Sequence, residues 1–304
     1  MDRIQLVILL TAIIHLTDTL FYAVRLSGVK TRRLITAFSL FQLIALLAGV
    51  ANMIQAPLLS AIVEQGINSG QIYYQAHMAY LLGGIRLIIL ASSVGTVAAA
   101  VITPVFIFFM NRAVFVFERT GSLLQLFLLL LSPARLARLS REFTAIFARR
   151  LRQPRRARYG GRPFGWMPRR RSILRSVLRV VADLIFRGRP LPLGLFLVHI
   201  VVVSIWTNGV LAALYAGALM PSYRSTASML SGVVNGIAAV LATFLIDPVT
   251  AVITDQSLQG LRDERDIVAL TYWLMFTRLL GTILAQVIFI PTAHLVEWLT
   301  LLMT

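Results

Sequence analysis

The chain has 304 residues, of which 58% are hydrophobic and only 13% are charged, and its formal net charge is +17. A soluble domain usually carries about 25% charged residues, so this composition excludes an ordinary soluble enzyme and predicts an integral membrane protein. The absence of cysteine excludes disulfides, thiolate metal sites and cysteine nucleophiles, and with only four histidines we expect neither a bound metal nor a cofactor.

Six apolar stretches are long enough to cross a bilayer core, which takes about 20 helical residues. They lie at 4–24, 34–57, 81–110, 190–219, 226–257 and 267–291. The sequence therefore predicts an all-α, polytopic membrane protein with about six transmembrane helices, in a single membrane domain of residues 1–304. The first span lacks a basic leader and a small-residue cleavage site, so we expect it to be retained. The tail 292–303 after Pro291 is expected at the membrane interface.

Basic residues are unevenly distributed between the predicted loops. The segment 112–189 holds 19 of the 29 basic residues against three acidic ones, and the loop 25–33 holds four more. The predicted loop 58–80 holds none, and the turn 220–225 holds only Arg224. Because short loops rich in arginine and lysine stay in the cytoplasm, this alternation predicts that both termini lie outside.

The segment 112–189 is predicted to be a cytoplasmic, Arg-rich insert. Leucine, phenylalanine and isoleucine recur at helical spacing over 136–147 with arginines between them, which is typical of an amphipathic helix on an anionic membrane surface. Residues 150–171 are rich in arginine, proline and glycine, which favours a flexible segment. We expect anionic lipids as partners of 133–189 and no nucleic acid, since charge alone supports nucleic-acid binding.

The two halves of the chain show a weak internal repeat. Residues 35–65 align with 226–256 without a gap, which places Pro57 on Pro248 and Gln65 on Gln256. The halves would then cross the membrane in opposite directions. Such an inverted repeat is common in secondary transporters, whose binding sites lie beside broken helices. Pro57 and Pro248 are the predicted matched breaks.

Ionisable residues within the predicted spans are candidates for a functional site, because each costs about 2.5–3.5 kcal/mol to insert into a membrane. They are Asp18, Arg86, Asp247 and Arg278, with His15 as a less costly case. Pairing as structural salt bridges between helices, or extension of the charged ends to the interface, is the alternative interpretation of these residues.

Polar residues at helical spacing predict which helix faces point into the bundle. In the first span, His15, Asp18, Tyr22 and Arg25 form one stripe that should face a cavity or other helices rather than lipid. The remaining candidates are amide side chains, namely Asn52 and Gln55 in the second span and Asn235 in the fifth. Asn235 lies in a GxxxG motif, Gly232 to Gly236, which favours close helix packing. His199 in the fourth span is expected to be an ordinary hydrogen-bonded residue.

These residue types favour an anionic, hydroxyl-rich ligand. Guanidinium groups bind phosphate oxygens with two parallel hydrogen bonds, and amide or phenol groups can bind sugar hydroxyls. A buried aspartate could also carry a coupling proton if its pKa is raised by desolvation. None of these features alone identifies the ligand.

Four segments resemble one bacterial family. They are HLTDTLFYAVRLSGVKTRR at 15–33, ANMIQAPLL at 51–59, GALMPSYRSTASMLSGVVNG with IDPVTAVITD within 217–255, and RLLGTILAQ at 278–286. Together they resemble the Amj family, which is named as the alternate to the MurJ lipid II flippase. The resemblance covers all six predicted spans, whereas the Arg-rich segment 149–189 is expected to have no counterpart in the family.

The resemblance implies a multi-pass transporter of the bacterial cytoplasmic membrane. It implies movement of lipid II, the undecaprenyl-diphosphate-linked peptidoglycan precursor, from the inner to the outer leaflet, with no catalytic residues. We expect the substrate to contact Arg25, Arg86, Arg278, Asn52, Gln55 and Asn235, with His15, Asp18 and Asp247 in gating or coupling. Arg32 and Arg33 would attract it at the cytoplasmic mouth. Three alternatives stay open, namely a transporter of another polyprenyl-linked glycan, an intramembrane enzyme acting on polyprenyl phosphates, and a non-catalytic scaffold or channel.

Overall fold

The computed structural model describes residues 2–69, 71–123 and 191–304, and every regular element in these ranges is a helix. The amphipathic and Arg-rich parts of the predicted insert, 133–189, lie outside the described residues. The main helices are α1 (Arg3–Thr31), α2 (Leu34–Asn68), α3 (Gln71–Thr120), α4 (Leu193–Leu219), α5 (Arg224–Met229), α6 (Ser231–Leu241), α7 (Asp247–Leu258) and α8 (Glu264–Met303).

Six segments among these residues are long and apolar enough to cross a membrane, which confirms the all-α polytopic fold class. Single helices form five of these spans, namely α1, α2, α3 (from Tyr73), α4 and α8. The remaining span, which is the fifth in chain order, is Pro221–Leu258 and contains α5, α6 and α7. At 50 residues α3 is about 75 Å long, so it projects well beyond a hydrocarbon core of about 30 Å.

Except for α4, the spans are longer than the apolar stretches that predict them. α2 continues to Asn68 and α3 begins at Gln71, so most of the predicted loop 58–80 is helical. α8 continues through Pro291 as far as Met303. Val296 of this tail is fully buried against the alanines of α4, and this apolar contact explains why the tail continues the bundle helix rather than forming a separate interfacial segment.

Local sequence signals account for the helix ends. Asp2 and Gln5 form a reciprocal capping box at the start of α1, and the Asp263 carboxylate accepts the backbone N–H of Arg265 at 3.0 Å at the start of α8. α1 ends at Thr31 and is capped by Arg32, which takes the left-handed conformation with φ of 56°. This residue reverses the chain so that α2 can return beside α1.

α1 is the central helix of the bundle and packs on α2, α3 and α8, whereas α4 packs mainly on α8 and α6. Close approach of α3 to α1 depends on Gly95, where an added Cβ would collide with the backbone carbonyl of Ala12. Gly232 and Gly236 differ from Gly95 in this respect, because nothing lies within 4 Å of a Cβ added at either position. Within the described residues the GxxxG motif therefore forms no close helix contact.

The fifth span is interrupted beside Asp247. Residues Ala242–Ile246 form a single π-helical turn between α6 and α7, and Pro248 follows at the start of α7. A π turn in an α-helix often lies at a functional site. Pro57, the predicted partner of Pro248, lies inside α2, which continues past it without interruption. The inverted repeat remains a prediction.

Candidate functional site

A cavity of about 330 Å³ lies between α1, α2, α4, the fifth span and α8. The residues that line it come from all five spans and are His15, Asp18, Phe21, Tyr22, Arg25, Phe41, Gln42, Ala45, His199, Val202, Val203, Trp206, Thr207, Ala242, Ile246, Asp247, Thr250, Leu274 and Arg278. The whole polar stripe predicted for the first span therefore faces this cavity.

The cavity lies between the middle of the bundle and the end that is predicted to be cytoplasmic. Arg25 precedes the end of α1 by six residues, and His15 by sixteen, which corresponds to about 9 and 24 Å along the helix. At that end of α1, Lys30 pairs with Glu264 at 3.2 Å, and Arg33 pairs with Glu118. These ion pairs connect the ends of α1, α3 and α8 next to the cavity.

Arg278 forms an ion pair with Asp18 across the α1–α8 contact. Its Nη2 lies 3.0 Å from Asp18 Oδ2 and 3.5 Å from His15 Nδ1. The arginine side chain is 12% exposed, whereas the aspartate side chain is 41% exposed. The buried Nε of Arg278 has no hydrogen-bond partner. This guanidinium therefore keeps one donor free although it is paired with the Asp18 carboxylate.

A directed chain of hydrogen bonds runs from Arg278 into α4 and returns to α8. Arg278 Nη1 donates to the Tyr22 hydroxyl at 3.4 Å, and Tyr22 lies 2.8 Å from Nε2 of His199. Nδ1 of His199 lies 2.7 Å from the Thr277 hydroxyl, which itself donates to backbone carbonyls of α8. Because Thr277 uses its proton there, His199 must donate from Nδ1 and accept from Tyr22 at Nε2. The chain thus has one direction throughout.

Arg25 is the less compensated of the two cavity arginines. Its Nη2 lies 3.5 Å from Asp247 Oδ1, and its guanidinium stands over the Phe21 ring at 5.7 Å. The arginine side chain is 12% exposed and the aspartate side chain is 58% exposed. Both Nε and Nη1 of Arg25 are buried without a hydrogen-bond partner. Since an unpaired buried donor is costly, Arg25 is suited to bind an anion.

Arg86 lies outside the cavity, although the sequence groups it with Arg278. Its guanidinium donates to the backbone carbonyl and the side-chain oxygen of Gln286 and stands over the Phe289 ring at 5.4 Å. The neighbouring Gly84 lies against Ile4, near the start of α1. Arg86 is therefore closer to the predicted outer end of the bundle than the cavity arginines are.

The three amide candidates also lie outside the cavity. Gln55 is buried and donates to the Thr11 hydroxyl at 3.0 Å, so it links α2 to α1. Asn52 is exposed on the surface of α2. Asn235 directs its Oδ1 at Gly209 of α4, where that oxygen has no hydrogen-bond partner.

Several cavity residues were not predicted as site residues. His199 was expected to be an ordinary buried polar group, and Gln42, Trp206 and Thr207 received no role. His199 stands in an otherwise apolar run, and this isolated polarity was the one available signal. Its link to Tyr22 and Thr277 joins three helices far apart in sequence, so spacing along one helix could not predict it.

The arrangement is suited to binding an anion rather than to covalent chemistry. Two guanidinium groups of the cavity retain three unpartnered buried nitrogen atoms, and hydroxyl groups of Tyr22 and Thr207 lie in the same walls. Within residues 2–69, 71–123 and 191–304, no group of three histidine, cysteine or acidic side chains could hold a metal ion.

Comparisons with known proteins agree with the resemblance. A family model described as Amj, alternate to MurJ, matches residues 10–161 and 169–300. The chain is 30% identical over 292 residues to a Bacillus subtilis (strain 168) protein called lipid II flippase Amj, and the alignment covers 95% of this chain and 93% of that protein. No solved structure matches the chain. The family match includes most of 149–189, so the expectation that this segment has no counterpart in the family is wrong.

Proposed function

Because the chain belongs to the Amj family, we propose that it moves lipid II from the inner to the outer leaflet of the bacterial cytoplasmic membrane. It is a multi-pass transporter and not an enzyme. The observation that supports the cavity as the transport site is that two incompletely paired arginines line it within an apolar bundle.

The physical difficulty of the reaction is the diphosphate. An ionised phosphate cannot cross hydrocarbon unless other groups replace its water, because desolvating an isolated charge is prohibitive. Arginine can replace that water with charge-assisted hydrogen bonds in a planar fork. We assign this role to Arg25 and Arg278, which line the cavity and keep buried nitrogen atoms without a hydrogen-bond partner.

Asp18 and Asp247 hold the two arginines while no substrate is bound. In both pairs the arginine is the buried member and the aspartate is the exposed one. Each carboxylate can therefore turn away from its arginine into open space, and the diphosphate takes its place. After transport the carboxylates re-form the pairs and displace the diphosphate, which is the gating function proposed for these acids. His15, beside Arg278, would take part in the same exchange.

The remaining charged groups act before and after the cavity step. Arg32 and Arg33 lie at the end of α1, where they attract the diphosphate from the cytoplasmic side. Arg86 provides a later contact near the predicted outer end. The segment 133–189 binds anionic lipid headgroups and keeps the cytoplasmic face against the membrane.

The test is reconstitution of the purified chain in vesicles that contain lipid II. The measured quantity is the fraction of lipid II that becomes accessible to an external reagent, and survival of cells depleted of their essential flippase is the second readout. Arg25→Ala should abolish both readouts, whereas Arg265→Ala, an exposed arginine outside the cavity, should leave them at the wild-type level. No transport by the wild-type chain would overturn the function, and equal transport by the two variants would overturn the site.

A further inference from the structure

The cavity is too small for the whole substrate head. Its volume is about 330 Å³, at the lower end of the roughly 300–1,000 Å³ found for pockets that hold drug-sized ligands. A disaccharide carrying a peptide is considerably larger than a drug-sized ligand. Only one part of lipid II can therefore occupy the cavity at a time.

The cavity has two chemically different walls. The wall formed by α1 and α8 carries both arginines, and it also carries Tyr22, His15 and Asp18, which contact Arg278. The apolar wall comes from α2, α4 and the fifth span, with Phe41, Ala45, Trp206 and Ala242. The same elements also bring Gln42, His199, Thr207, Asp247 and Thr250 to the cavity. A ligand with an anionic part and a hydrocarbon part suits this lining.

The apolar wall is continuous with the lipid-facing surface of the bundle. α2 and the fifth span both line the cavity, yet they make no extended packing contact with one another. Trp206 lines the cavity and is 49% exposed, so its ring is accessible to a hydrocarbon chain that leaves the cavity between these spans.

Resting on the proposed function, we infer that this cavity recognises the junction between the diphosphate and the first isoprene units and leaves the glycan outside. The arginine wall binds the diphosphate, and the wall with Phe41 and Trp206 binds the isoprene units next to it. The substrate class of the site is then polyprenyl diphosphates as such, whatever sugar they carry. The glycan contributes little to affinity, because it remains in water.

Competition against bound fluorescent lipid II tests this inference with the full chain in lipid nanodiscs. The first competitor is farnesyl diphosphate, which contains the junction of diphosphate and isoprene units. The second is a uridine-diphosphate sugar, which has a diphosphate and a sugar but no prenyl chain. The third is farnesol, which is a prenyl chain alone. Farnesyl diphosphate should displace lipid II at concentrations at least about tenfold lower than the other two, a difference of about 1.4 kcal/mol.

The outcomes separate this inference from the proposed function. Displacement by the nucleotide sugar at the same concentration as farnesyl diphosphate would overturn the inference that the junction is recognised. It would show that the site recognises the diphosphate and sugar without the prenyl chain. Bound lipid II that farnesyl diphosphate fails to displace would overturn it too, while the proposed function would stand. No binding of lipid II at all would overturn the proposed function itself.

Trp206→Ala tests the apolar wall, with Trp298→Ala as the matched control because Trp298 is 56% exposed and does not line the cavity. Trp206→Ala should weaken binding of farnesyl diphosphate several-fold and leave binding of inorganic pyrophosphate unchanged. Equal effects of the two tryptophan variants on farnesyl diphosphate, or an equal loss of pyrophosphate binding in Trp206→Ala, would overturn the assignment.

Discussion

The Tyr22 hydroxyl lies 2.8 Å from Nε2 of His199 and receives a hydrogen bond from Arg278, so one phenol group joins an arginine of α8 to a histidine of α4. His199 is 3% exposed and is held on its other side by Thr277. Since the histidine fixes the direction of the Tyr22 proton, the phenol oxygen always presents a lone pair to Arg278. His199 is thus a positioning residue for Arg278.

Tyr22→Phe should lower transport of lipid II while leaving most of the fold intact. The variant removes one hydrogen bond from Arg278 and leaves Nε2 of the buried His199 without a donor, which costs about 1–3 kcal/mol. The measurements are transport in vesicles and the unfolding midpoint in detergent. Tyr223→Phe is the matched control, because Tyr223 is exposed and outside the cavity. Equal transport by the two variants would contradict the role of Tyr22.

Arg278→Lys should abolish transport although it preserves the positive charge. Arg278 contacts Asp18, His15 and Tyr22 through two nitrogen atoms of one planar group, and an ammonium on a single point cannot reproduce this fork. Lipid II transport is measured at matched protein abundance in the membrane. If Arg278→Lys retains wild-type transport, the fork is not required and a point charge suffices.

Asp18→Asn and Asp247→Asn should bind substrate more tightly and transport it more slowly. Each substitution removes the carboxylate that competes with the diphosphate for an arginine. The affinity for the substrate therefore increases and the rate of its release decreases. The measurements are equilibrium binding of farnesyl diphosphate and the rate of lipid II transport. Glu264→Gln, at the ion pair with Lys30 beyond the cavity, should change neither quantity. Weaker binding in both aspartate variants would contradict the exchange of carboxylate for phosphate.

The sequence predicts the number of spans correctly, and it selects some of the residues that line the cavity, for a physical reason. Charged residues are so costly in a membrane that Asp18 and Arg278 could be selected without any structure, and helical spacing aligned Asp18 with Tyr22 and Arg25. One structural salt bridge within the set of intramembrane ionisable residues exists, because Asp18 pairs with Arg278, whereas Asp247 pairs with Arg25 rather than with Arg86. Here the pairing and the cavity occur together.

The failures come from relationships between helices. Arg86 satisfies the same insertion-cost rule as Arg278, yet it pairs with Gln286 outside the cavity, because its depth depends on how α3 lies along α1. The GxxxG motif follows the packing rule in sequence, but Gly232 and Gly236 face outward. Neither depth nor rotation of a helix is determined by its own residues.

Gly95→Ala should destabilise the bundle, and Gly236→Ala should not. A Cβ at Gly95 would collide with the backbone carbonyl of Ala12, which cannot move without shifting α1, whereas a Cβ at Gly236 would meet nothing within 4 Å. In an exposed helix interior, alanine is favoured over glycine by roughly 0.5–1 kcal/mol. Thermal unfolding in detergent should show a lower midpoint for Gly95→Ala and an unchanged or higher one for Gly236→Ala. A lower midpoint for Gly236→Ala would reveal a contact of that face.

Single-cysteine labelling should show that the arginine-rich end of the bundle faces the cytoplasm. The chain contains no cysteine, so each variant carries one reactive thiol without background. Asn68 and Arg32 are both exposed and lie at opposite ends of α2. The Asn68→Cys variant should react with a membrane-impermeant maleimide on intact cells. Arg32→Cys should react only after permeabilisation, because the segment 25–33 around it carries four basic residues, which favours a cytoplasmic position. The reverse pattern would place the Arg25 end of the cavity nearer the outer leaflet, and Arg32 and Arg33 could then not guide the diphosphate on entry.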